Sequence, residues 1–314
     1  MPPDIARGRT RTGTPSGNPM AIAKSNGIFS VEFSPPRTAE AVEKLRATRT
    51  ALARLGPAYY SVTFGAGGST REGTLSTALE IHRAGLRAVP HLSCIASSRG
   101  ELRDLLETYR AAGIRQIVAL RGDLPSGMAA SNGDFRVAAD LVAYVRAEFG
   151  AAFHIEVAAY PEMHPQARSP AEDLRHFVEK VHAGADSAIT QYFYNGDAYL
   201  RFVDEAARAG CTVPIVPGVM PITNFSQLAR FSDSCGAEIP RWIRRRLESF
   251  GDDRDSIRAF GLDVVTTLCE RLLAHGAPGL HFYTMNSAHA TTELWRRLGL
   301  PVPTTDALPP AAGA

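Results

Sequence analysis

The chain has 314 residues, of which 45% are hydrophobic and 21% charged, so it can bury a sizeable core and does not have the composition of a disordered protein. The 34 Lys and Arg residues and 32 Asp and Glu residues give a formal net charge of +2. Residues 1–26 hold four of these basic residues and one of the acidic ones, which leaves 30 against 31 in the remainder. A near-neutral body disfavours the broad positive surface that is typical of nucleic-acid-binding proteins.

The sequence also disfavours a membrane protein and a metal site. No apolar run approaches the roughly 18 residues that span a bilayer, and the N-terminus lacks the apolar core of a secretory signal, so we expect a cytoplasmic location. The cysteines form no C-x-x-C pair and the nine histidines show no H-E-x-x-H spacing. We therefore expect no bound metal and four free, mostly buried thiols at Cys94, Cys211, Cys235 and Cys269.

The two ends of the chain differ in composition from the middle. Residues 1–26 are rich in Arg, Thr, Gly, Pro and Ser without apolar periodicity, which predicts a flexible N-terminal arm. Residues 303–314 are mostly Pro and Ala and predict a disordered tail. Residues 27–302 are expected to form one catalytic domain.

Within this domain, strand-like runs rich in β-branched and aromatic residues alternate with stretches of helical spacing. The eight strand-like runs are residues 28–33, 59–64, 88–93, 116–120, 153–159, 188–193, 213–219 and 279–284. Helices are predicted at 39–55, 101–112, 138–149, 171–183 and 198–209, with further helices near 225–231, 240–250 and 256–275. Glycines such as Gly113 and Gly150 close several of these helices, which is typical of left-handed helix caps.

This alternation indicates right-handed βαβ crossovers and a parallel sheet. Eight β/α units in about 270 residues match the usual length of a (β/α)8 TIM barrel, which is the predicted fold. The alternative is a doubly wound open sheet. Such a sheet usually has fewer strands and a nucleotide-binding fingerprint after the first one, so the barrel is preferred.

The active sites of such barrels lie at the carboxyl ends of the strands, and the first predicted strand ends close to Glu32. Strand alternation places Glu32 opposite to Val31 and Phe33. A carboxyl group at this position is suited to act as a general acid with a raised pKa. The alternative is a structural ion pair between Glu32 and Arg37.

The fourth predicted strand ends in Arg121, Gly122 and Asp123. The glycine allows close approach of a ligand, the arginine can bind a phosphate or carboxylate, and the aspartate can bind the edge of an amide-rich ring. An internal Arg–Asp pair that stabilises the turn is the alternative. The glycine-rich stretch at 65–68 after the second strand is suited to a phosphate, but a tight strand-to-helix turn explains it equally well.

Aromatic side chains stand beside hydrogen-bonding groups at several other strand ends, which favours a planar heteroaromatic ligand. In order along the chain, sequence blocks at these positions read VEFSPPR (31–37), SVTFGAGG (61–68), PHL (90–92), ALRGDLP (119–125), AAYPEMHP (158–165), ITQ (189–191), PGVMPITNF (217–225) and GLHFYTMN (279–286). These eight ordered blocks, over roughly residues 28–300, resemble the bacterial, flavin-dependent 5,10-methylenetetrahydrofolate reductase family.

The resemblance implies a non-covalent FAD across the carboxyl-terminal mouth of the barrel, and a ping-pong reaction. NAD(P)H would reduce the flavin and leave, and the reduced flavin would pass hydride to 5,10-methylenetetrahydrofolate to give 5-methyltetrahydrofolate for methionine synthesis. It also implies a homo-oligomer and small-molecule substrates, with no nucleic-acid partner. We do not expect the C-terminal regulatory domain that eukaryotic relatives carry.

Each site residue that the resemblance implies has a role. Glu32 corresponds to the general acid. Asp123 corresponds to a residue near the flavin and the pterin, so we expect Asp123 to have catalytic, substrate-binding and cofactor-binding roles. Gln191 and Gln227 correspond to folate hydrogen-bonding residues, Phe231 to an aromatic ring that stacks on the nicotinamide or the folate side chain, and Tyr283 to a further substrate-binding residue. The other flavin-contacting positions are Thr63, His91, Leu120, Arg121, Gly122, Ala138, Tyr160, His164, Asp173 and Lys180. Among these, Arg121 and Lys180 are suited to the pyrophosphate and Asp173 to a ribose.

Two positions depart from the family pattern. Ser287 stands where many members have Arg, and Val137-Ala138 stands where a Tyr-Ala pair is common, with Phe135 as a candidate aromatic substitute. Two other functions are alternatives. One is a phosphate-binding lyase or aldolase with Lys180 as a Schiff base, which the helical setting of Lys180 disfavours, and the other is a flavin- or nucleotide-binding module in which Glu32 has no catalytic role.

Overall fold

The computed structural model describes residues 27–64, 71–122 and 133–303. The predictions for residues 1–26, the turn at 65–68, Asp123 and residues 304–314 therefore lie outside the described residues. Every helix and strand that the structure describes lies between Ile28 and Arg297.

The described residues form nine strands and ten helices in regular alternation. The strands are β1 (Ile28–Phe33), β2 (Tyr60–Val62), β3 (Ala88–Ser93), β4 (Gln116–Leu120), β5 (His154–Ala159), β6 (Ser187–Thr190), β7 (Ile215–Val216), β8 (Gly218–Val219) and β9 (Gly279–Tyr283). The helices are α1 (Ala39–Ala53), α2 (Arg71–Arg83), α3 (Arg99–Ala112), α4 (Ala138–Phe149), α5 (Pro170–His182), α6 (Gly196–Arg208), α7 (Phe225–Cys235), α8 (Arg241–Ser249), α9 (Arg254–Ala274) and α10 (His289–Arg297).

All the strand pairs are parallel, in the spatial order β7-β6-β5-β4-β3-β2-β1-β9-β8. The predicted (β/α)8 barrel is confirmed, although several strands are shorter than the predicted runs. β6 ends at Thr190 rather than at residue 193, because the next free backbone N–H, that of Tyr192, donates to the side-chain Oε1 of Gln191 at 2.9 Å.

The barrel closes at the seventh strand position, where the predicted strand 213–219 is divided. Pro217 has no N–H to donate to a neighbouring strand and separates β7 from β8. β7 pairs with β6, whereas β8 pairs with β9, and the Pro217 carbonyl accepts the His281 N–H at 3.0 Å. Together the two short strands occupy one strand position of the barrel, with β7 paired to the strand on one side and β8 to the strand on the other.

Strand alternation separates an outer apolar shell from the barrel interior. Val31 and Phe33 of β1 are fully buried in the large core beneath the helices. A second, small apolar cluster consists of Tyr59, Val89, Val118 and Ile189, with Ile28 and Leu120 packed against it. Because these residues come from neighbouring strands and lie apart from the helix-covered core, they form a layer across the barrel interior.

Two further expectations can be compared with the structure. Cys94 and Cys269 are buried, but Cys211 and Cys235 are partly exposed, so only half of the free thiols are buried as expected. Within the described residues, no helix is long and apolar enough to cross a membrane, and no group of three or more His, Cys, Asp or Glu side chains is arranged to hold a metal ion.

The close packing at the barrel closure yields a stability prediction for Gly218. A Cβ at this position would lie 2.2 Å from the Thr190 carbonyl oxygen and 2.6 Å from the Tyr283 ring. We expect Gly218→Ala to lower the free energy of unfolding by about 1–3 kcal/mol in urea titrations. Gly100→Ala in α3 is the control: nothing lies within 4 Å of its Cβ position, so we expect it to raise stability by about 0.5–1 kcal/mol. Equal effects of the two substitutions would contradict the packing argument.

Candidate functional site

Glu32 lies near the carboxyl end of β1 and points into the barrel, where its side chain is 13% exposed. Its Oε2 lies 3.4 Å from His281 Nε2 and 3.3 Å from His91 Nε2, and it accepts a hydrogen bond from Ser61 Oγ at 3.4 Å. These partners are supplied by β9, β3 and β2. The carboxylate is thus engaged by side chains of three other strands, and the Glu32–Arg37 pair stays an alternative.

The two histidines differ in how they act on the carboxylate. His281 is fully buried, and its other ring nitrogen, Nδ1, is held by Ser30 Oγ at 2.7 Å. His91 Nε2 is buried and close to Glu32 but is not aligned for a hydrogen bond, so the contact is mainly electrostatic. The His91 ring nitrogen thus faces the Glu32 carboxylate, and the cofactor contact expected of His91 stays a prediction.

The pKa of Glu32 differs from the expectation. Burial raises the pKa of this carboxyl, but the hydrogen bond from His281 and the positive charges of His281 and His91 outweigh burial and lower the pKa to about 2. The prediction of a raised pKa for Glu32 was wrong because it was based on burial of the carboxyl and did not include His281 and His91. Glu32 is therefore ionised at neutral pH, and any proton that it donates must first be supplied by a neighbouring group.

A cavity of about 280 Å³ opens beside the ends of β4 and β5, against the first residues of α4 and one side of α5. Eight of the residues predicted to contact a cofactor line it: Leu120, Arg121, Gly122, Ala138, Tyr160, His164, Asp173 and Lys180. The fold thus brings together side chains from four separate segments. The cavity is also lined by Gln166, His176 and Glu179, which no sequence motif indicated.

Two cations of the cavity are held by neutral oxygen atoms. Lys180 Nζ donates to the Ala158 carbonyl, and Arg121 donates to the side chain of Gln166 and to the Gly122 carbonyl. Burial lowers the pKa of Lys180 to about 8, although the nearby Asp173 carboxylate opposes this shift. Because both cations donate directly to neutral oxygen atoms, they remain able to bind an anionic ligand on this side of the cavity.

The loop between β5 and α5 is fixed by local hydrogen bonds that the sequence explains. Ser169 caps α5 and Pro170 occupies its first turn, a combination that favours helix initiation. Asp173 in this first turn accepts the backbone N–H of His164 at 2.8 Å, and the His164 ring meets the Tyr160 ring edge-on at 4.6 Å. The carboxylate therefore holds the loop whose aromatic side chains line the cavity.

The predicted substrate residues lie on the same end of the barrel but are differently engaged. Gln191 follows β6, and Gln227 and Phe231 lie on α7, where Phe231 is 37% exposed. The Tyr283 hydroxyl donates to the Thr190 carbonyl at 2.8 Å, so this group stabilises the barrel closure. Thr63 follows β2, and its carbonyl accepts the Thr74 hydroxyl at 2.9 Å.

The structure differs from the sequence-based expectation for Phe135 and shows a contact of His281 that was not expected. Phe135, the candidate aromatic substitute, is 1% exposed and packs on Tyr144, so it does not line the cavity. His281 had been assigned no role, although strand alternation places it on the same face as Tyr283. That pattern was a usable signal for a second inward-facing polar group.

Comparison with known proteins agrees with this arrangement. The family model for methylenetetrahydrofolate reductase matches residues 19–299. The chain belongs to this family. The family resemblance inferred from the eight sequence blocks is confirmed, and the chain is an oxidoreductase rather than a lyase or a binding module.

Among its relatives, the 5,10-methylenetetrahydrofolate reductase of Salmonella typhimurium is 41% identical over 283 residues, which cover 89% of this chain and 94% of the relative. The reductase of Escherichia coli is 40% identical over the same shares. Arabidopsis thaliana methylenetetrahydrofolate reductase (NADH) 1 is 37% identical over 87% of this chain, which corresponds to 48% of the longer plant protein.

A solved structure shows the same fold. An uncharacterised protein from Clostridium thermocellum, described as binding two copies of 5-methyl-5,6,7,8-tetrahydrofolic acid, superposes with a TM-score of 0.60 and covers 89% of this chain and 95% of its own. At 16% sequence identity, it supports the barrel architecture of the methylenetetrahydrofolate reductase family.

Proposed function

We propose that the protein reduces 5,10-methylenetetrahydrofolate to 5-methyltetrahydrofolate with NAD(P)H, through FAD and in a ping-pong sequence. The observation that supports this most directly is the presence of two features at the carboxyl end of the same barrel. One is the Glu32 carboxylate with its two histidines, which can move a proton, and the other is the cation-lined cavity, which can hold an anionic cofactor.

The residues of the cavity fit part of FAD. Arg121 and Lys180 are suited to a pyrophosphate, and the Asp173 carboxylate to hydroxyl groups. The cavity, at about 280 Å³, lies just under the range of roughly 300–1,000 Å³ that is typical of ligand pockets. We therefore assign it to the anionic and nucleoside part of the cofactor, with the remainder over the barrel mouth near Thr63 and His91.

FAD, when bound, would supply hydride transfer from the reduced nicotinamide to the folate. The chain's own residues then have two tasks: to hold the folate over the mouth and to give it a proton. We assign the first to Gln191, Gln227 and Phe231, which follow β6 or lie on α7. Asp123, predicted for both tasks, remains an expectation because it lies outside the described residues.

Glu32 would protonate one of the two ring nitrogens that flank the methylene carbon, so that the five-membered ring opens to an iminium ion. The low pKa of Glu32 means that the carboxyl is ionised in the free protein, so it has to take up a proton before it can donate one. A folate that covers this group excludes water and brings a basic nitrogen to the carboxylate, so the proton can pass from a histidine through Glu32 to the substrate.

The nicotinamide donor is proposed to be NADH. Relatives from Arabidopsis thaliana, Oryza sativa and Zea mays carry NADH in their names, at 37% identity to this chain. The cytoplasmic location, the homo-oligomer and the supply of methyl groups to methionine synthesis remain predictions.

The proposed reaction predicts a yellow protein whose flavin absorbance bleaches anaerobically with reduced nicotinamide and returns with 5,10-methylenetetrahydrofolate. We expect Glu32→Gln to retain the bleaching step and to lose about 10²–10⁴-fold in the rate of the folate step, because the amide cannot donate the acidic proton. Rapid-mixing absorbance spectroscopy measures both steps. A colourless protein that FAD does not reconstitute would contradict the proposed function, and an unchanged folate step would exclude Glu32 as the acid.

The cofactor assignment predicts a loss of affinity in Lys180→Met. Removal of a charged hydrogen-bond donor from the cavity should weaken FAD binding by about 10- to 100-fold, as measured by quenching of FAD fluorescence. Lys44→Met, on the exposed face of α1, removes the same charge far from the cavity and should leave the affinity unchanged. Equal affinities in both variants and the wild-type protein would place the cofactor elsewhere.

A further inference from the structure

Glu162 connects the loop beside the cofactor cavity to the end of α7. It lies in the loop between β5 and α5 (residues 160–169), two of whose aromatic side chains line the cavity. Glu162 Oε2 accepts the backbone N–H of Glu238 at 2.7 Å. Glu238 follows the last residue of α7 by three positions. The helix that carries two of the predicted folate-binding residues is thus hydrogen-bonded to the loop that lines the cavity.

The β5–α5 loop also packs closely against the end of α7 around this hydrogen bond. A Cβ at Gly236, the left-handed cap of α7, would lie 3.0 Å from Pro165 Cγ and 3.4 Å from the Met163 carbonyl oxygen. Met163 has a φ of 135°, which a non-glycine residue adopts only where surrounding contacts hold it. The gap that remains between the loop, the segment after β6 and the end of α7 is about 10 Å³, so these segments are in direct contact.

The segment after β6 is hydrogen-bonded to α7 in the same region. The Tyr192 hydroxyl lies 3.1 Å from Ser232 Oγ, and Cys235 Sγ donates to the Tyr192 hydroxyl at 3.5 Å. Tyr192 directly follows Gln191, a predicted folate-binding residue. A displacement of the end of α7 from the β5–α5 loop would therefore change the arrangement of the predicted folate-binding residues on both segments.

The environment of the Glu162 carboxyl favours its neutral form. Its Oε1 is buried and has no hydrogen-bond partner within the described part of the chain. Burial and the Glu238 carboxylate raise the pKa of Glu162 to about 7, although the Glu238 N–H and Arg201 oppose this rise. Because the hydrogen bond needs only an acceptor oxygen, an uncharged side chain of the same shape can take the place of the carboxyl.

We propose that Glu162 is a positioning residue for the folate, which holds the end of α7 on the β5–α5 loop and thereby fixes Gln227 and Phe231 relative to the cofactor. The proposal rests on the proposed function, because it assumes that these two side chains bind the folate. Glu162 acts here through the backbone after α7 and takes no part in proton or hydride transfer. Loss of its hydrogen bond should therefore weaken folate binding without slowing the chemical step.

The kinetic test compares Glu162→Ala and Glu162→Gln in the FAD-loaded protein, with NADH and 5,10-methylenetetrahydrofolate as substrates. We expect Glu162→Ala to raise the KM for the folate by about three- to tenfold, because one hydrogen bond at the end of α7 is lost, and to leave kcat unchanged. The amide oxygen of Glu162→Gln can still accept the Glu238 N–H, so this variant should have the wild-type KM. A lower kcat with an unchanged KM in Glu162→Ala would overturn the positioning role.

Hydrogen exchange followed by mass spectrometry tests the contact without the folate. In the FAD-loaded protein, residues 225–240 should exchange their amide hydrogens faster in Glu162→Ala than in the wild-type protein, because the end of α7 is no longer held on the loop. Glu162→Gln should exchange at the wild-type rate. Wild-type exchange of this segment in Glu162→Ala would show that Glu162 does not hold α7.

Glu101→Ala is the matched control, because Glu101 also accepts a backbone N–H, that of Ser98 at 2.8 Å, but at the start of α3. It should keep the wild-type KM and the wild-type exchange of residues 225–240. If Glu162→Ala fails to fold, Glu162→Asp decides the test, since its shorter side chain keeps the charge but draws the carboxylate away from the Glu238 N–H. We expect it to behave as described for Glu162→Ala.

The two measurements separate failure of this proposal from failure of the proposed function. Wild-type KM and wild-type exchange in Glu162→Ala or Glu162→Asp would overturn the positioning role alone. A wild-type protein that binds FAD but does not reduce the folate would overturn the proposed function and, with it, the role of Glu162 in folate binding.

Discussion

The buried negative charge of Glu32, held by histidines from two other strands, is the interaction on which the candidate site depends. An isolated carboxylate at 13% exposure would be costly to desolvate, and His281 and His91 offset that cost. Their positions require β1 to lie beside β9 and near β3, which only the closed barrel provides. The ionisation of Glu32 at the mouth of the barrel therefore depends on the strand order of the domain.

The division of the barrel into an apolar exterior and a polar interior follows from this arrangement. The alternating residues of β1 bury Val31 and Phe33 under the helices and turn Ser30 and Glu32 inward. An apolar cluster of Tyr59, Val89, Val118 and Ile189 lies in the interior between these polar groups. Ligand binding is therefore expected at the carboxyl-terminal mouth.

Local pattern was sufficient to predict the barrel, most of its helices and strands, and the inward direction of Glu32, because each depends on residues close in sequence. It was not sufficient for the pKa of Glu32. The decisive partner, His281, is 249 positions away, and strand periodicity does not show which strands become neighbours. The break at Pro217 was visible in the sequence, since proline cannot donate to a ladder, but the two different partners of β7 and β8 depend on closure.

The cavity residues illustrate the same limit. Arg121 and Gly122 follow a strand, as predicted from the residues themselves, whereas Asp173 and Lys180 lie on a helix and were identified only through the family resemblance. The helical position of Lys180 disfavoured a role as a Schiff base, but its long side chain still reaches the Ala158 carbonyl near the end of β5. Side-chain reach of this kind depends on the packing of α5 on the barrel, which the sequence pattern does not specify.

The most direct test of this account is the protonation state of Glu32 in the free protein, measured by infrared difference spectroscopy of the wild-type protein against Glu32→Gln across pH 4–8. A depressed pKa near 2 means that the carboxyl is ionised throughout this interval, since protonation would begin only as the pH falls toward that value. The account predicts a carboxylate signal from Glu32 at every pH. A carboxylic acid signal from Glu32 at neutral pH would contradict it, because the histidines would then not hold the negative charge.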